Sequence, residues 1–184
     1  RRYTATNGSD MVLNSNYEDS TIFIGKTIDE DGNIRYEFTD RQGRQILSRQ
    51  MVADDAHDTY YVHDKYGNLC FVLTPLASDA FESLTNGTYS ANALNFIDKY
   101  AYQYTYDNLN RCIVKKLPGA EPVNMVYDNA DRLRLYQDGN QKRKNVWTFI
   151  KYDLFGREVI RGDYNSSQSR NDLQQILLNT DTTL

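Results

Sequence analysis

Apolar and polar residues alternate along most of this chain, and aspartates punctuate the alternation. Strict alternation is the period of a β-strand with one buried face. In YAYQYTYD, Tyr100 to Asp107, a tyrosine occupies every second position up to the aspartate. Tyr100, Tyr102, Tyr104 and Tyr106 would line one face of such a strand. The aspartate sets a register that recurs at Asp29-Glu-Asp-Gly32-Asn33, Asp40-Arg-Gln-Gly43-Arg44 and Asp64-Lys-Tyr-Gly67-Asn68. It continues at Asp107-Asn-Leu-Asn110-Arg111, Asp128-Asn-Ala-Asp131-Arg132 and Asp153-Leu-Phe-Gly156-Arg157. The pattern is D-x-x-G-R/N, unevenly spaced.

The pattern has a mechanical reading. Asp suits the first position of a type I turn, where its carboxylate accepts backbone N–H groups. A type I turn followed by a left-handed residue makes a three-residue hairpin loop. Gly suits that last position best, and Asn and Asp tolerate it next best. Each copy therefore predicts a hairpin tip, with Asp opposite the residue four positions later. Counting outward pairs Tyr106 with Cys112, Tyr104 with Val114, Tyr127 with Leu133, Met125 with Leu135, Tyr61 with Phe71 and Ile150 with Ile160. All would lie on the face opposite the Asp/Arg pairs, and position seven after Asp is apolar in every copy: Tyr36, Leu47, Phe71, Val114, Leu135 and Ile160. The fold class predicted is mainly all-β: consecutive antiparallel hairpins forming a twisted sheet or ribbon.

Outside the repeats the pattern changes. Residues 1–20 read as a polar linker and 21–162 as the hairpin domain. Residues 76–98 read as a partly helical insertion, with Pro75 ending a strand, a helix over 79–84 capped by Ser78, a turn at Asn86-Gly87 and a second helical piece over 91–98. QDGNQKRKN (137–145) reads as an exposed loop. Residues 163–184 read as a linker with a short helix over 171–179 behind an Asn171 cap.

Composition narrows the function classes. The chain has 184 residues, 40% hydrophobic, with 15 Tyr, one Trp and a net charge of -4. This is enough apolar and aromatic material for a core. The absence of a basic stripe argues against nucleic acid as a partner. Nothing approaches the roughly 18 to 20 apolar residues of a membrane span, so no membrane insertion is expected of this segment. The two cysteines, Cys70 and Cys112, make no disulfide framework. No phosphate loop, nucleophile elbow or Cys/His dyad stands out, and no cofactor is expected.

Three constellations compete with the turn reading. Tyr61, Tyr102 and Tyr104 are candidates for stacking on a ligand such as a sugar, against the inner wall of a sheet as the simpler account. Asp29, Asp31 and Asn33 resemble a fragment of a calcium loop, but the twelfth position is Asp40 rather than Glu. Asp54, Asp55, His57, Asp58 and His63 form the one His/carboxylate cluster, at no zinc-binding spacing.

The repeats resemble the YD repeats of RHS-type proteins, and the segment Leu117–Asn140 with WTFIKYDLFGRE after it resembles the Bacteroides-type version. The residues that carry the resemblance are Tyr106-Asp107 to Arg111, Tyr127-Asp128 to Arg132 and Tyr152-Asp153 to Arg157, with weaker copies at His63-Asp64 and Thr39-Asp40. The resemblance spans about residues 22–162 and implies a ribbon of hairpins, in the family coiled into a hollow shell of a large secreted or cell-surface protein. It supplies no catalytic residue, and the family's cleavage motif and toxin domain have no counterpart here. The expected function is a non-catalytic structural segment whose partners are neighbouring repeats of the same parent. The alternatives are a carbohydrate-binding surface module and, as the weakest, a glycosidase or protease. Unpaired strand edges would favour self-association.

Overall fold

The computed structural model describes residues 2–14, 16–18, 20–82, 84–90 and 94–180. Among them are fourteen strands in antiparallel sheets and four short helices, so the fold is mainly β and built from hairpins. The chain divides into two compact units. One is Arg1–Thr105 with Leu117–Gly119, the other Tyr106–Lys116 with Ala120–Leu184.

The first unit contains β1 (Arg2–Thr6), β2 (Asp10–Asn14), β3 (Ile22–Ile28), β4 (Ile34–Asp40), β5 (Gln45–Val52), β6 (Asp55–His63) and β7 (Leu69–Leu73). Then come α1 (Pro75–Glu82), β8 (Gly87–Ser90), α2 (Asn95–Tyr100) and β9 (Ala101–Tyr106). Strands pair in the order β3-β4-β5-β6-β7-β9, and β1-β2-β8 form a small separate sheet. Buried Val62, Phe71, Leu73 and Ala101 from the large sheet share the core with Tyr3, Met11 and Leu13 from the small one, and with Ala77, Phe81 and Ile97 from the helices. The Tyr3 ring meets Tyr60 at 4.7 Å and Phe81 at 5.7 Å between centroids.

The expected linker at 1–20 is therefore corrected: it contains a hairpin that contributes to the core. Asn7 and Gly8 turn it, with φ of 44° and 73°. A Cβ on Gly8 would lie 2.2 Å from the Tyr104 carbonyl oxygen, so only glycine fits. Pro75 opens α1 rather than merely ending β7, because its missing N–H is no loss in a first helical turn. Ser78 lies inside α1, its N–H bonded to Thr74 O. The second helical piece begins at Asn95, and residues 91–93 of the expected range lie outside the described residues.

The second unit contains β10 (Cys112–Lys116), β11 (Val123–Tyr127), β12 (Leu133–Gln137), α3 (Gly139–Arg143), β13 (Val146–Tyr152), β14 (Glu158–Asn165) and α4 (Arg170–Thr180). Its core is Val126, Leu135, Trp147 and Leu173, flanked by Phe149 and Leu177. The expected loop at 137–145 holds α3, closed by a reciprocal cap between Asp138 and Gln141. The expected linker at 163–184 is integrated into the fold over residues 163–180, in β14 and α4. Its helix is capped by Ser169, which exchanges hydrogen bonds with Asp172, rather than by Asn171. Residues 181–184 lie outside the described residues.

Register departs from simple alternation in a recurring way. In the hairpins at Asp40, Asp64, Asp128 and Asp153 the first pair beyond Asp is as expected, for example Tyr127 with Leu133. The sixth residue after Asp then bulges, and the next pairs are Phe38–Leu47, Val62–Phe71, Val126–Leu135 and Lys151–Ile160. The expected pairs Met125–Leu135, Tyr61–Phe71 and Ile150–Ile160 are each off by one. A bulge flips every later side chain of its strand to the other face. The seventh-position residue thus moves onto the Asp face, and that face is the covered one: Val62, Phe71, Val126 and Leu135 are buried beside Asp64 and Asp128. The hairpin at Asp29 has no bulge and stays in step from Ile28–Ile34 through Lys26–Tyr36.

Helix α4 supplies what β10 does not. The β10–β11 ladder is limited to Val114–Asn124 and Lys115–Val123. Further along β11, Gln174 Nε2 donates to Tyr127 O at 2.7 Å, and Tyr127 N donates to Gln174 Oε1 at 3.1 Å. Arg170 Nε donates to Met125 O at 3.0 Å. One amide side chain replaces a strand partner. Gln174 is itself buried, so Gln174→Ala leaves both Tyr127 backbone groups without their partner. The expected loss is about 1–3 kcal/mol, read as a lower urea midpoint with unchanged slope.

Candidate functional site

The candidate residues assemble as a repeated turn. At each of Asp29, Asp40, Asp64, Asp107, Asp128 and Asp153 the backbone N–H donates to the carbonyl four residues on, and the residue three on donates back to the Asp carbonyl. That third residue is left-handed in every copy: Gly32 (83°), Gly43 (76°), Gly67 (89°), Asn110 (60°), Asp131 (58°) and Gly156 (77°). Each Asp Oδ1 accepts two backbone N–H groups, from the second and fourth residues after it. Each Oδ2 accepts from the fourth residue's side chain: Asn33, Arg44, Asn68, Arg111, Arg132 or Arg157.

These bonds set the ionisation. Burial works against the charged carboxylates of Asp40, Asp107 and Asp128, but the hydrogen bonds from the partner four residues on outweigh it and hold all three below the ordinary range. The backbone N–H of Arg157 is the main cause of the same lowering at Asp153. At Asp29 it is the Asn33 side chain. Asp29 thus spends its oxygens on a turn, which accounts for the calcium-like fragment.

Successive hairpins are clipped together. The Arg111 guanidinium sits over the Tyr127 ring at 5.1 Å, and Arg132 over Tyr152 at 5.3 Å. Tyr127 OH donates to Cys112 O at 2.8 Å, and Tyr152 OH to Leu133 O at 3.0 Å. Arg111 Nη1 also donates to Asp128 O and Asp131 Oδ1, both at 2.9 Å. The tyrosine before each of these Asp residues is thus held by the Arg and the following carbonyl of the preceding hairpin. The sequence motif contains all three parts, but its meaning lies between copies. His63 takes the tyrosine position next to Arg44. Burial first, and the Arg44 charge second, push its pKa below the ordinary value.

The tyrosine row is not a core wall. On β9 the residues facing Phe71 and Leu73 are Gln103 and Ala101, so Tyr102 and Tyr104 lie on the other face, half-buried. Tyr100 is the last residue of α2 and is exposed. Tyr61 and Tyr102 flank Val72 in one lateral row across β6, β7 and β9. Tyr61 also lines a cavity of about 210 Å³, with Tyr3, Tyr17, Phe38, Leu47 and Tyr60; the lining does not include Tyr102 or Tyr104. In the His/carboxylate cluster Asp58 is engaged by Arg49 through two bonds of 2.7 Å. Among the described residues no three His, Cys, Asp or Glu side chains converge as metal ligands. Cys70 and Cys112 are free thiols. Burial pushes the Cys70 thiol up to about 11 and raises Cys112 as well.

Comparison with known proteins gives a likeness of fold. No family model matches the chain. No curated protein matches it either. Among solved structures, the crystal structure of TcdB2-TccC3-TEV superposes with a TM-score of 0.51 at 15% identity. The match covers 75% of this chain and 6% of that one. The chain therefore shares the fold of a part of that structure, and it spans only a small part of the length of the protein it resembles.

The turn chemistry predicts a graded response to substitution. Asp128 is fully buried and also engages Arg134, so Asp128→Ala should remove about 3–5 kcal/mol. Asp153→Ala, at a turn open to solvent, should cost far less; equal losses in denaturant titrations would contradict the burial difference. A pH dependence is expected as well. The lowered His63 pKa means the unfolded chain binds its proton more readily. The stabilisation is present above about 6.5, the unfolded value, and is lost as pH falls through the folded value. His63→Tyr should flatten stability against pH between about 7 and 5. The steeper loss below about pH 4 should persist, because the lowered aspartates stabilise above their unfolded value and lose that contribution as they protonate.

Proposed function

We propose that this chain is a non-catalytic structural segment of a larger RHS-type repeat protein, secreted or at the cell surface, whose hairpins build a β scaffold. The observation that carries this reading is the employment of the repeat aspartates: each directs both oxygens to its own turn. A carboxylate with both oxygens so engaged is poorly placed as a general acid, and Asp29, Asp40, Asp107, Asp128 and Asp153 are in addition held ionised. The likeness of fold to a part of the TcdB2-TccC3-TEV structure supports the scaffold reading. The Arg/Tyr clip supports it independently, since it fixes one hairpin against the next without exposing chemistry.

A second reading, carbohydrate binding, draws on the Tyr61–Val72–Tyr102 row, where two half-buried phenols share one face. It requires glycan binding that Tyr102→Ala abolishes.

Asp153→Asn separates the readings, because it keeps the shape of an exposed turn and removes its charge. The scaffold reading expects a modest fall in Tm and no turnover of glycoside or peptide panels by either protein. An activity of the purified chain that vanishes in Asp153→Asn at unchanged Tm would overturn it.

A further inference from the structure

Register places Phe38, Leu47 and Tyr60 in one lateral row across β4, β5 and β6. Tyr3 of β1 meets the Tyr60 ring edge-to-face, at an interplanar angle of 65°. These four residues bound the cavity of about 210 Å³, together with Ile22 at the start of β3 and with Asn16 and Tyr17 from the segment between β2 and β3. The Arg2 guanidinium lies over the Tyr17 ring, 5.7 Å from its centroid. Burial raises the Tyr17 pKa, so its hydroxyl stays protonated. Of the nine described residues that line the cavity, five are aromatic and three aliphatic; the other is Asn16, which is exposed and so stands at the mouth. None of the nine carries a charge.

We propose that this cavity binds a small uncharged aromatic molecule, a single ring bearing a hydroxyl, with its ring against Tyr3, Phe38 and Tyr60 and its hydroxyl at the Asn16 amide. Size, wall chemistry and charge each point to that class. An apolar cavity of about 150 Å³ lined by Leu, Ile and Phe takes up benzene, so this one has room for a benzene ring and a substituent. Aromatic walls favour an aromatic guest through edge-to-face contacts of the kind Tyr3 already makes with Tyr60 and Phe81. A charged guest would lose its hydration without meeting a counter-charge on the lining. A pyranose would bring several hydroxyls, and one amide with the phenols of the wall serves few of them. The lining includes no turn aspartate and neither Tyr102 nor Tyr104, so the proposal goes beyond the scaffold reading and stands whether or not that reading does.

The test titrates the full chain with phenol and follows its methyl and aromatic NMR signals. Phenol should bind saturably at millimolar concentration, shift the Leu47 and Tyr60 signals, and raise Tm as a ligand of the native state does. Benzoate, the same ring with a charge, should bind more than about tenfold more weakly, and methyl glucoside should not bind. I22W fills the cavity from the edge strand and should abolish the phenol shifts, with circular dichroism checking that it is folded. N16A changes an exposed position and so keeps the test open if I22W does not fold. It should weaken phenol about fivefold, the size of one hydrogen bond, and leave benzene binding unchanged. No saturable phenol binding, or binding undiminished in folded I22W or in N16A, overturns the proposal. Glucoside binding in place of phenol overturns the ligand class.

Discussion

The aspartate at each hairpin tip is the interaction on which the strand pairing depends. Its side chain takes two backbone N–H groups on one oxygen and a side chain on the other, while its own peptide group closes the loop. Six turns made this way fix where strands begin and which residues face each other. A charge-assisted acceptor is stronger than a neutral one, so the turn persists even where Asp is buried. The buried Asp128 has Arg132 and Arg134 as counter-charges, which is the condition under which a buried carboxylate is tolerable.

The turns were legible in the sequence because their chemistry is local. Asp at the first position and Gly, Asn or Asp at the fourth are constraints among five consecutive residues, and all six sites obey them. The choice of covered face was less legible. Alternation counted from the turn puts the seventh residue with the tyrosines, and a bulge at the sixth residue puts it with the aspartate. The bulged residues are Ile46, Cys70, Arg134 and Val159. No shared residue type marks them, so composition at that position carries no signal. The candidate site shows the same reversal: Tyr102 and Tyr104, on the face expected to be the inner wall, lie opposite the face that is covered.

Other misses are non-local. The hairpin of β1 and β2 carries an Asn-Gly dipeptide between short alternating strands, the strongest short hairpin signal there is, yet its surroundings are polar and only Tyr3, Met11 and Leu13 turn inward. Burial of those three depends on a sheet formed by residues far along the chain. Gln174 is harder still. Nothing in its sequence context marks a glutamine that serves as a strand partner, because the need arises from a gap between β10 and β11.

The clip explains why tyrosine precedes aspartate and why arginine follows it, which turn geometry alone does not. Turn closure needs only a donor four residues after Asp, and Asn33 and Asn68 serve as well as Arg. Arginine adds a planar cation that bridges its own Asp and the ring of the next copy. Tyrosine adds an apolar face for that cation and a hydroxyl for the preceding carbonyl. The motif therefore encodes two interactions of different range: Asp and the left-handed residue shape one hairpin, while Arg and Tyr join it to its neighbour. Where the second pair degrades, as at His63, the turn survives intact, its Asp64 still bonded to Tyr66, Asn68 and the backbone. The two functions of the repeat can vary separately, which is how a degenerate sequence keeps a regular fold.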